Sequence, residues 1–75
     1  MRTFVVVRDE LDLRTVLCRE VVDKTSAAAL RDALVRYPDP DRYGAVILYG
    51  RDWPSVALSY PRYADAKPDL VDGKA

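Results

Sequence analysis

YGAVILYGRDWPSVALSY, Tyr43 to Tyr60, decides the fold of this 75-residue chain. Ala45 to Tyr49 and Val56 to Tyr60 are runs of strand-forming residues. Gly50, Arg51, Asp52, Trp53 and Pro54 lie between them and supply turn chemistry of hairpin length. The stretch is therefore expected to be a β-hairpin. Along its first strand Ala45, Ile47 and Tyr49 face one way and Val46 and Leu48 the other, so both faces are apolar and both want cover, as in a central strand.

Working backwards from the hairpin, Tyr37 to Arg42 (YPDPDR) is a stiff polar connection, and Pro38 ends whatever helix precedes it. That helix is well marked: Thr25 or Ser26 can cap it, and Ala27, Leu30, Ala33, Leu34 and Tyr37 recur at helical spacing. Residues 13 to 24 fit two periods. Leu13, Val16, Leu17 and Val21 would share one helical face, but Thr15, Val16, Val21 and Val22 are β-branched, and a first strand at Thr3 to Val7 needs a neighbour, so a strand is expected. In that first strand Thr3, Val5 and Val7 point to one face and Phe4 and Val6 to the other. Asp9 to Asp12 is a polar turn without glycine.

Working forwards, Pro61, Arg62 and Tyr63 close the domain at residue 63. Residues 64–75, whose only sizeable apolar residues are Leu70 and Val71, form an expected mobile or weakly pinned tail. The expected fold is α+β: a two-layer ββαββ domain over 1–63, with one helix on a mainly antiparallel four-stranded sheet. A helical 12–24 would change this to βααββ. One face of the sheet would stay partly exposed, and function is to be sought there. This order of elements is similar to that of several small phage-type inhibitors, including some anti-CRISPR proteins, by size and arrangement and without a shared motif.

Composition narrows the chemistry. Twelve basic and twelve acidic residues give a formal net charge of zero, without the electropositive footprint that phosphate binding needs. One cysteine and no histidine exclude an intramolecular disulfide and the usual zinc-ligand sets. A domain this small has a thin stability margin, and good packing or self-association must supply it. A homodimer through a sheet edge is favoured. Phe4 to Val7 is too short for the apolar region of a signal peptide and no stretch is long enough to cross a bilayer, so with a lone thiol the expected compartment is a reducing cytoplasm.

Catalytic motifs are wanting. There is no histidine to act as a base, and Cys18 sits in a run expected to be packed, as a structural thiol. Asp9, Glu10 and Asp12 cluster in a solvated turn with nothing apolar to raise a pKa. Asp39, Asp41 and Gly44 match three positions of a calcium loop, but Tyr43 and Gly50 occupy its fifth and twelfth, so they are turn residues. No cofactor, metal or catalytic residue is expected.

The distinctive signal is aromatic residues among arginines. Six of seven aromatics lie between positions 37 and 63. Tyr37 and Tyr43 are assigned to the core, while Tyr49, Arg51, Trp53, Tyr60, Arg62 and Tyr63 are the candidate partner-binding residues, because Tyr, Trp and Arg dominate binding hot spots. The expected function is a non-enzymatic module that occupies another protein's surface, as a small inhibitor or regulator would. Weak stacking of single-stranded nucleic acid on the same aromatics is the alternative, and the surplus of one arginine over aspartate within 36–63 argues against it.

Overall fold

The computed structural model describes residues 1–68 and 70–71, the last two in backbone only. It is a small α+β domain. Its antiparallel sheet is built from β1 (Arg2–Asp9), β2 (Arg14–Glu20) and β3 (Tyr43–Gly50), with helices α1 (Ser26–Arg36) and α2 (Trp53–Ser59). A 3₁₀ turn follows at Pro61–Tyr63, and Leu70–Val71 adds a two-residue strand, β4. The strand order is β3-β1-β2-β4.

β1 is the centre of the sheet. Phe4, Val6 and Val7 are fully enclosed and Val5 almost so, because β1 has a strand on each side and cover on both faces. Val5 and Val7 join Ala29 and Ala33 of α1, with Ala45 and Ile47 beside them. Phe4 and Val6 join Cys18, Leu48, Trp53 and Val56 on the opposite face. The expected alternation in β1 and β3 therefore holds.

Three expectations fail for one reason. Val56 to Tyr60 is not a strand: Asp52 caps a helix, its carboxylate accepting from the Ser55 N–H at 2.9 Å, and Pro54 sits in the first turn, where a missing N–H costs nothing. Trp53, Val56, Ala57 and Tyr60 then recur at helical spacing. Consequently the second sheet face is covered by α2 and not left exposed, and β3 is an edge strand, apolar on both sides because a helix covers each side. The order ββαβαβ also departs from the ββαββ arrangement on which the likeness to phage-type inhibitors rests.

Most of the first half follows expectation. Asp9, however, expected in the solvated turn, ends β1 and is buried, because Arg42 and the turn's own N–H groups satisfy its carboxylate. Residues 21–24 lie outside the strand expected over 13–24. Residues 14–20 form a strand, excluding the helical alternative, and Thr25 caps α1, its hydroxyl accepting from Ala28 N–H at 3.1 Å. The β1–β2 register shifts between Val7 and Arg8, which leaves Val16 as a bulge. Its carbonyl accepts from the Tyr37 hydroxyl at 3.3 Å, so a backbone group displaced from the ladder still has a partner. Gly50 lets α2 close on β3, since a Cβ there would run into Val56 Cγ2.

Part of the segment expected to be a tail is tied down. Trp53 Nε1 donates to the Ala66 carbonyl at 2.6 Å, and Asp65 accepts from the Thr15 N–H and hydroxyl at 3.0 and 2.9 Å. The rest of that expectation, at 69 and 72–75, lies outside the described residues. Among the described residues no helix is long and apolar enough to cross a membrane.

Candidate protein-interaction surfaces

The six candidate contact residues do not form one patch. Trp53 is only 8% exposed and meets Phe4 edge to face at 5.3 Å between centroids, so its bulk belongs to the core. Tyr63 is half-buried against the same cluster. Tyr60 is exposed at the C-cap of α2. Arg51 is exposed at the opposite end of that helix, with Nη2 3.2 Å from Ser55 Oγ. Tyr49 projects on the α1 side, its hydroxyl 3.4 Å from Ser26 Oγ. Arg62 pairs with Glu10, which fastens the 3₁₀ turn to the β1–β2 turn.

That turn, Glu10 to Leu13, is the feature missed in the sequence. It presents Leu11 at 69% and Leu13 at 65% exposure, and Leu13 has φ of 55°. A left-handed residue at the end of a short hairpin loop is normal geometry, but glycine or asparagine usually supplies it. Leucine there costs about 1–2 kcal/mol, and an exposed side chain recovers little of that by burial inside the fold.

The turn is held from beneath. Asp9 is 2% exposed. Its Oδ1 accepts from the N–H groups of Leu11 and Asp12, both at 3.0 Å, and its Oδ2 accepts from Arg42 Nη2 at 2.9 Å and Nε at 3.1 Å. These bonds, chiefly the guanidinium's, hold the Asp9 carboxyl down at about 2. The Glu10 N–H donates to the Arg42 carbonyl at 2.8 Å. Arg8 Nε lies 3.4 Å from Glu10 and its Nη1 donates to the Arg62 carbonyl at 3.1 Å. The two leucines thus sit on a braced platform. A sequence signal was available: two leucines in a four-residue turn with no glycine.

The second surface is the outer edge of β3. Glu10 N–H to Arg42 O sets the phase of the β1–β3 ladder, in which even-numbered β3 residues bond to β1. The backbone groups of Ala45, Ile47 and Tyr49 therefore point outward, and among the described residues no strand pairs with them. The Tyr43 N–H is already given to the Asp39 carbonyl at 2.9 Å. Asp39 and Asp41, part of the calcium-loop match, form a turn in which Asp39 Oδ1 accepts from the Asp41 N–H at 3.0 Å.

Comparison with protein-family models, curated proteins and solved structures gives no match.

Proposed function

We propose that the protein is a small non-enzymatic binding module of the reducing cytoplasm, acting by occupying another protein's surface with Leu11 and Leu13. The observation that carries this is the left-handed, solvent-facing Leu13 on a turn braced by the buried Asp9 and by Arg42. A conformation that costs the folded chain energy, with the side chain left in water, is accounted for when that side chain is enclosed by a partner. The bracing adds to affinity, because little conformational freedom remains to be lost on docking. Arg62, paired with Glu10, stands at the rim of the same contact.

Leu13→Gly tests it. The substitution relieves the left-handed strain while loosening the unfolded chain, so stability is expected to stay level or rise by up to about 1 kcal/mol. Partner capture by the immobilised protein is expected to fall at least about 10-fold. A partner held equally by wild type, Leu13→Gly and Leu11→Ser removes the tip from the contact.

A further inference from the structure

We infer that the β3 edge pairs with the β3 edge of a second copy, antiparallel about a two-fold axis at Ile47, to make a closed dimer with one continuous sheet. This extends the protein-binding reading to a second surface and does not depend on the hairpin tip.

A two-fold axis normal to the sheet maps each face onto itself, so opposed residues must share parity and the register must centre on a residue. Centring on Ile47 sets Ile47 against Ile47 and Ala45 against Tyr49. These residues have outward backbone groups, and their three pairs exchange about six hydrogen bonds. Centring on Val46 would instead set Tyr43 against Tyr49 and call on the Tyr43 N–H, which Asp39 already holds.

Charge agrees with the pairing. Tyr43 to Gly50 contains no Asp, Glu, Lys or Arg, so nothing of like charge meets across the axis. Edge strands normally carry such groups, a proline or a bulge to prevent pairing, and the β1–β3 register is unbroken. At the ends of this register Arg42 stands opposite the partner's Asp52.

Helix α1 provides the flank. Asp32 and Arg36 line a cleft of about 240 Å³ shared with Leu17 and Arg19 of β2. Leu30 and Leu34, on the opposite side of the helix, therefore lie toward the β3 edge, and Leu34 is 45% exposed. In the dimer the two α1 helices meet along these leucines above the joined strands.

Closure follows from the other edge. Asp65 and β4 occupy the outer side of β2, so pairing β3 with β3 leaves no second bare edge of comparable length among the described residues and growth stops at two.

Light scattering behind size exclusion, across a dilution series, is expected to give twice the 8.5 kDa chain mass at high concentration. Ala45→Pro removes an outward N–H that β1 does not use, and is expected to raise the dimer dissociation constant about 100-fold with the fold retained by circular dichroism. Leu34→Lys, on an exposed position, is expected to raise it about 10-fold. Leu13→Gly leaves the mass unchanged, so failure of the tip and failure of the edge are separate results. A monomer at every concentration, or a dimer indifferent to both Ala45→Pro and Leu34→Lys, overturns the inference.

Discussion

The two edges of the sheet are finished in opposite ways. Outside β2, Asp65 takes the Thr15 N–H and hydroxyl, Trp53 holds the Ala66 carbonyl, and Leu70–Val71 pairs in parallel with Arg19 and Glu20. Outside β3, the backbone groups of Ala45, Ile47 and Tyr49 have no strand to bond among the described residues. The β2 edge carries Arg14, Arg19, Glu20 and the Val16 bulge, whereas β3 is uncharged and unbroken, and the chain after α2 covers the β2 side alone among the described residues. It closes one side from its own length and leaves the other open among the described residues. With a helix on each face, that is the only long strip of sheet left open among the described residues.

The largest perturbation of this contrast is Trp53→Ala. It deletes the ring that fills the α2-side core beside Phe4 and the donor that anchors residue 66, and is expected to cost about 3–5 kcal/mol, read as loss of most or all of the cooperative thermal transition. For a domain with so small a core that amount approaches the whole stability. Asp65→Ala is milder. It frees the Thr15 edge groups but leaves them in water, so about 1 kcal/mol is expected in urea unfolding, together with faster amide exchange at Thr15.

Acid acts on the same contacts. An aspartate in the unfolded chain titrates near about 3.9, whereas folded Asp9 titrates at about 2, chiefly because Arg42 bonds it. Asp65 is also lowered, first by the Thr15 N–H bond, and Glu20 by Arg2, with Nη2 to Oε1 at 2.5 Å. Folded carboxylates that resist protonation contribute stability fully present above the unfolded value and lost as pH falls through the folded one. The unfolding midpoint in urea is therefore expected to stay level from neutrality to about pH 5 and to decline from about pH 4 toward 2. Asp9→Asn should flatten the lower part of that decline.

Much of the first half was legible because local chemistry and tertiary demand agree there. Thr3 to Val7 is β-branched and alternates correctly, the β-branched residues of 15–22 outweigh a partial helical period, and Thr25 and Pro38 bracket α1. The second half was misread at Asp52. Val56 to Tyr60 alternates well enough for a strand, but an Asp cap followed by proline in the next turn is a helix start, and that signal outranks a short alternation. The error carried forward, since a hairpin there makes β3 central, whereas a helix makes it an edge. Aromatic clustering did not mark a single exposed patch, for a related reason. In a chain this short a large ring such as Trp53 is drawn into the core first, and Leu11 and Leu13 carry exposed apolar area without announcing it by residue type.

Amide hydrogen exchange along β3, followed by NMR in concentrated and dilute samples, tests the open edge most directly. The account predicts that Val46 and Leu48, bonded to β1, are protected in both samples, and that Ala45, Ile47 and Tyr49 are protected only in the concentrated one. Free exchange of Ala45, Ile47 and Tyr49 at every concentration would contradict it.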